Sequence, residues 1–223
     1  MKLALDTSQS SGSIALWNSG GVVYSAFFDI SITHSETLMP QVDAALQLCG
    51  FSPADIEAVL LTIGPGSFTG LRIGLATAKG IAYGLKIPVL SFGTLQLCAF
   101  ERYQCGRNIL AVLDAKMNEV YAALYDEDLR ELQPPQVCAP DQILDWDLQK
   151  PYLLGSGASL LKPLLDECQI STSTVPERPL SASGLFYLAE QFPQSEKYDF
   201  NQLAELEPLY LRESTAQIKR KLP

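Results

Sequence analysis

Leu60-Leu61-Thr62-Ile63-Gly64-Pro65-Gly66-Ser67-Phe68-Thr69-Gly70-Leu71-Arg72-Ile73-Gly74 is the stretch on which the fold of this chain turns. Residues 58–63 are apolar apart from Thr62, the pattern of a buried strand. Gly64-Pro65-Gly66 breaks that strand with a tight turn. From Gly70 to Gly84 the spacing becomes helical. Leu71, Leu75, Ala78, Ala82 and Leu85 share one face, and Gly70, Gly74, Thr77, Ile81 and Gly84 share a neighbouring face of mostly small residues. Only Arg72, Lys79 and Tyr83 form a polar edge. Three glycines inside a helix cost roughly 1 kcal/mol each relative to alanine, about 3 kcal/mol together. Close helix packing would offset that cost, against a helix of the same chain or one of a partner. The stretch alone leaves both open.

Working outward, residues 2–6, 12–17 and 21–28 read as a three-stranded antiparallel meander, punctuated by Gln9-Ser10-Ser11-Gly12 and Ser19-Gly20-Gly21. Ser35 is the expected cap of a helix over 35–49, with Leu38, Val42, Ala45, Leu46 and Cys49 on one face and Gly50 as its stop. Ser52-Pro53-Ala54-Asp55 starts a short helix. After the central unit come a strand over 87–90 and a helix over 94–103. Hairpin strands followed by alternating helices and strands make one mixed α/β lobe. The pattern then recurs, with strands over 108–114 and 119–125, a loop at Pro134-Pro135, a short helix over 141–146 and a strand over 152–155. A helix carrying Leu160, Leu161, Leu164 and Leu165, another over 183–191, and an extended or turn segment over 207–211 complete it. Two lobes, 1–104 and 105–223, are expected, the second smaller; its last segment could return to the first.

Sixteen basic residues against 25 acidic ones give a net charge of −9, which argues against a protein that holds nucleic acid alone. The basic cluster Lys219-Arg220-Lys221 is read as a solvated tail. No export signal or membrane span is expected, because Leu3-Ala4-Leu5 meets Asp6 at once. The five cysteines are odd in number, scattered and without a Cys-x-x-Cys pair, as in a reducing cytoplasm.

The loop from Gly64 to Gly70 ends at a helix start, where anions are favoured. It is no Walker A loop, because Leu71-Arg72 follows Gly70, and three residues rather than two separate Gly66 from Gly70. A turn that positions the helix is the favoured reading. Asp6, at a strand end before Thr7 and Ser8, could share Mg²⁺ with Asp114, or simply start a hairpin by capping; the second is slightly favoured. The one histidine, His34, leaves no histidine pair for a metal and no good base for a hydrolytic triad.

Asp6-Thr7-Ser8, Thr33-His34-Ser35-Glu36, the run from Ile63 to Gly74, Leu113-Asp114-Ala115-Lys116-Met117-Asn118-Glu119-Val120-Tyr121, Gly155-Ser156-Gly157-Ala158 and Glu207-Pro208-Leu209-Tyr210-Leu211-Arg212 occur in order along almost the whole chain. On these motifs the sequence resembles the TsaB (YeaZ-like) family of bacterial tRNA threonylcarbamoyladenosine biosynthesis proteins. The resemblance implies an actin-like, sugar-kinase-like (ASKHA) α/β fold of two ribonuclease-H-like lobes, the second reduced. It implies a non-catalytic relative of the transferase TsaD. That enzyme carries a His-x-x-x-His metal pair where this chain has Ser91-Phe92-Gly93-Thr94-Leu95-Gln96-Leu97-Cys98, so no catalytic or metal-binding residue is expected. The partners implied are a TsaD-like catalytic subunit, a TsaE-like ATPase and, in isolation, a second copy, with tRNA touched only indirectly in the cytoplasm. In such families the first two helices form the interface, which would here use Leu38, Val42, Ala45, Leu46, Gly70, Gly74, Thr77, Ala78 and Ile81. Asp6, Thr7, Ser8, Asp114, Gly155 and Gly157 would line a degenerate nucleotide cleft, with no resident cofactor and ATP or ADP only at a complex interface. The rival readings are a small-molecule kinase or nucleotide hydrolase on those cleft residues, or a peptidase.

Overall fold

In the computed structural model, which describes residues 1–29 and 34–212, the chain opens with three antiparallel strands, β1 (Lys2–Asp6), β2 (Ser11–Asn18) and β3 (Gly21–Asp29). Helix α1 (His34–Cys49) follows, then strand β4 (Ala58–Thr62), helix α2 (Phe68–Leu85), strand β5 (Val89–Phe92) and helix α3 (Thr94–Phe100). β4 runs parallel to β1 and β5 parallel to β4, so the sheet order is β3-β2-β1-β4-β5. Leu3 and Leu5, Ile14 and Leu16, and Val59 and Leu61 occupy alternate positions of three neighbouring strands. They therefore share one sheet face, and they form one buried cluster with residues of α1 and α2. Every residue of β4 is buried, as its unbroken apolar run requires.

The second half repeats the plan. Strands β6 (Ile109–Lys116), β7 (Glu119–Tyr125) and β8 (Glu131–Cys138) are antiparallel neighbours. Strand β9 (Tyr152–Leu154) lies parallel to β6, helix α4 (Ala158–Glu167) follows, and β10 (Ser173–Thr174) lies parallel to β9. The order β8-β7-β6-β9-β10 is the first sheet over again. Helices α5 (Gly184–Gln191) and α6 (Phe200–Glu205) come last, and α5 packs on β4 and β5. Contacts group residues 1–97 with 179–209, and residues 98–178 with 210–212. This is the α/β, two-lobed ASKHA architecture with ribonuclease-H-like sheets. The second copy is reduced: a 3-10 turn (Pro140–Asp145) stands where the first has α1.

Several local expectations need correction. Pro134-Pro135 lies inside β8 rather than in a loop. β8 is an edge strand, and its pairing jumps from Ala122↔Gln136 to Leu124↔Gln133. A bulge on an edge is where residues without an N–H are tolerated. The helix expected over 35–49 already includes His34, so Ser35 is inside it, not its cap. The helix expected over 94–103 ends at Phe100 and continues as turns. β10 and α6 were not foreseen, being two and six residues long. Thr33 and the Lys219-Arg220-Lys221 cluster lie outside the described residues.

Candidate functional site

The central loop is fastened from three sides. Ser67 N–H donates to the Ser8 carbonyl at 2.7 Å, Thr94 N–H to that of Gly64 at 2.8 Å, and Leu209 N–H to that of Ile63 at 2.7 Å. A Cβ on Gly66 would stand 2.2 Å from the Ser8 carbonyl oxygen, so only glycine lets the two backbones meet there. The Ser67 hydroxyl accepts the Gly70 N–H at 3.2 Å and caps α2. The loop's polar groups are thus engaged in seating the helix, not in cradling a phosphate.

The strand-end turn beside it is fully buried: Asp6, Thr7 and Ser8 are each 1% exposed or less. Asp6 Oδ1 accepts the Thr62 hydroxyl at 2.5 Å and the Ser8 N–H at 3.2 Å. Burial pushes its carboxyl above the ordinary value, and the hydrogen bonds from Thr62 and Ser8 only partly oppose that. Thr7 donates to the Gly70 carbonyl at 2.8 Å. The Ser8 and Thr94 hydroxyls are buried without a hydrogen-bond partner.

In the second unit, Asp114 is held by Lys116 through both its N–H and its ammonium group, each at 2.7 Å. That lysine, foremost through its side-chain hydrogen bond, lowers the Asp114 carboxyl. Gly155 has a φ of +101°, and its Cβ would meet the Val112 carbonyl oxygen at 2.2 Å. Gly157 N–H donates to that same carbonyl at 2.9 Å, and its own Cβ would strike Val112 Cγ1 at 2.7 Å. The loop is flush against β6, an approach that its two glycines make possible. Asp6, Thr7 and Ser8 belong to one unit and Asp114, Gly155 and Gly157 to the other. Among the described residues, no group of three or more His, Cys, Asp or Glu side chains is placed to hold a metal.

Most of the residues expected at the interface are covered within the first unit itself. Leu38, Val42, Ala45, Leu46 and Ala78 are 0–3% exposed and belong to the first unit's own core. Gly70 and Gly74 are buried as well. The small size of Gly74 serves Thr7, whose Oγ1 would stand 2.2 Å from a Cβ there. Thr77 and Ile81 are half-buried at the rim. Helical period locates an apolar face without saying what covers it, and here the sheet does. The small-residue surface that faces outward is displaced by about a quarter turn of the helix. Thr69, Ala76, Gly80 and Gly84 are exposed on it, with Ile73 and Thr77 half-buried at its edge. Nothing lies within 4 Å of a Cβ at Gly80 or Gly84. Tyr83 borders it, 55% exposed; on α1, Met39 and Leu48 are 47% and 76% exposed, on opposite flanks of the helix. The i, i+3/i+4 spacing of Thr69, Ile73, Ala76, Gly80 and Gly84 carried this signal in the sequence; the apolar stripe masked it.

A family model described as "TsaD: tRNA N6-adenosine threonylcarbamoyltransferase" matches residues 17–218. A Haemophilus influenzae protein named "tRNA threonylcarbamoyladenosine biosynthesis protein TsaB" is 30% identical over 239 aligned positions, covering 99% of this chain and 96% of that one. The Escherichia coli protein of the same name is 40% identical over 129, covering 56% of this chain and 55% of its relative. Among solved structures, YeaZ from Pseudomonas aeruginosa superposes with a TM-score of 0.72 at 27% identity, covering 94% of this chain and 99% of that one. No helix among the described residues is long and apolar enough to cross a membrane.

Proposed function

The chain belongs to the TsaB (YeaZ) family of tRNA threonylcarbamoyladenosine biosynthesis proteins, related to TsaD, and from that premise we propose that it is a non-catalytic subunit of the cytoplasmic threonylcarbamoyl transferase. It binds a TsaD-like catalytic subunit through the outward faces of α1 and α2, holds that subunit in its active form and helps to recruit a TsaE-like ATPase. The modified adenosine lies beside the anticodon, at position 37 of ANN-decoding tRNAs, and tRNA is held mainly by the partners. A second copy competes for the same surface when the catalytic subunit is absent.

One observation carries this reading. Gly80 and Gly84 sit in the exposed face of an 18-residue helix with nothing near them. Each costs roughly 1 kcal/mol against alanine, and none of the described residues packs against them to offset it. Smooth small-residue faces let a second helix approach closely, and the neighbouring Tyr83 supplies apolar area. The buried state of Asp6 and the flush Gly155 loop disfavour the kinase reading. Reconstitution of tRNA modification from purified components tests the role. Omitting this chain abolishes modification, and the chain alone yields none; modification by the chain alone overturns the reading.

A further inference from the structure

At the other end of the second sheet from Asp114 and Gly155 lies a basic cluster that the proposed role does not use. Tyr152 opens β9 and pairs with Ile109, the first residue of β6, and with Ser173, the first of β10. Two guanidinium groups stand over its ring, Arg102 at 5.6 Å and Arg107 at 5.5 Å from the centroid. They are therefore no more than about 11 Å apart, the sum of those distances. Arg107 Nη1 donates to Ser173 Oγ at 3.1 Å, while Arg102 Nε is buried with no acceptor.

Among the described residues neither arginine joins an ion pair, whereas Arg130 pairs with Asp126 and Asp128, and Arg212 with Glu119. The carboxylate that acts on Arg102 is Glu101, which Arg178 faces too. Burial raises the Glu101 carboxyl, against the lowering effect of Arg178 and Arg102. Two guanidinium groups, Arg102 and Arg178, thus share one partly desolvated acid, in a chain whose net charge is −9. Uncompensated like charges kept side by side are relieved by an anion, and guanidinium groups spread on an aromatic ring keep their outer N–H groups for planar, two-point recognition of phosphate.

We propose that Arg102 and Arg107, fixed on Tyr152, dock one phosphate of an RNA backbone. This rests on the reading of the chain as a subunit that works on tRNA, and it confines the direct contact to one spot of an otherwise acidic protein. Titration of the full chain with inorganic phosphate, followed on the arginine Nε–Hε resonances, tests the site. Anisotropy of a labelled RNA hairpin over a KCl series tests the ligand. Phosphate should move the Arg102 and Arg107 signals. Arg102→Gln with Arg107→Gln should weaken hairpin binding about tenfold at low salt and reduce the log–log salt slope by about 1, while Arg107→Lys retains most of the slope. Unmoved resonances overturn the site. A phosphate response with unchanged hairpin binding in the double variant overturns the RNA assignment and indicates a small phosphate ligand. Unfolding midpoints of the variants show that they fold, and binding of the catalytic subunit, expected to be unchanged, separates failure here from failure of the proposed role.

Discussion

The two units are one topology written twice, and they differ in what surrounds an identical scaffold. In each, a first strand ends in an aspartate turn, Asp6 or Asp114, and the fourth strand runs into a glycine loop, Gly64–Gly66 or Gly155–Gly157. In each, that loop rests on a backbone carbonyl of the first strand or its turn, Ser8 or Val112, at a distance only glycine allows. There the likeness stops. The first unit buries its aspartate and carries helices of 16 and 18 residues; the second leaves its aspartate accessible to Lys116 and has a 3-10 turn and a helix of 10. The shared glycines are therefore architectural, and the divergent helices are where a separate role could arise.

The sharpest way to break this comparison is at the shared glycines. Gly155→Ala and Gly66→Ala each force a methyl to 2.2 Å from backbone oxygen, and each should destabilise by about 3 kcal/mol or more in denaturant unfolding. Gly155→Ala should be the worse because of its positive φ. Tolerance of either would show that the loops are not equivalent supports. Next in size, Leu46→Ala should cost about 2–5 kcal/mol, because Leu46 is core. Leu48→Ala, two residues on but 76% exposed, should stay within about 0.5 kcal/mol while weakening partner binding.

The two aspartates should give opposite pH responses. The folded-state pKa of Asp6 is raised, so the native state holds the extra proton. Stability contributed by this group increases as pH falls through its raised folded value toward the unfolded 3.8. Asp6→Asn, still able to accept from Thr62, should remove that dependence at about 1 kcal/mol or less of cost near neutral pH. The pKa of Asp114 is lowered, so its contribution is present above 3.8 and is lost as pH falls below it. Unfolding midpoints of the two Asn variants from pH 3 to pH 7 should change slope in opposite directions. The smallest effect sharpens the role of the outer helix face: Gly80→Ala should stabilise the isolated chain by about 0.5–1 kcal/mol. Destabilisation there would mean that the glycine serves the fold after all.

Much of this was legible in the sequence. The buried run 58–63, the Gly-Pro-Gly break and the recurring strand pattern led to the right architecture, because those signals are local and strong. The edge strand with Pro134-Pro135 was missed because proline reads as a loop until the neighbouring strand shows which N–H groups are not needed. Helix α6 is only six residues long, too short to offer a period to detect. The interface residues were drawn from the dominant stripe of each helix, Leu38 to Leu46 and Gly70 to Ile81, where hydrophobicity is highest. A stripe of that strength is what the protein's own sheet requires, so it pointed inward; the outward face is quieter, made of alanine, glycine and threonine.

The claim on which the rest depends is that this quieter face belongs to a partner. Titration calorimetry of the TsaD-like subunit with Gly80→Arg, beside the unaltered chain, tests it most directly. A loss of affinity of about a hundredfold or more, with an unfolding midpoint that is not lowered, is the expected result. Undiminished binding by a cooperatively folded Gly80→Arg chain would contradict it.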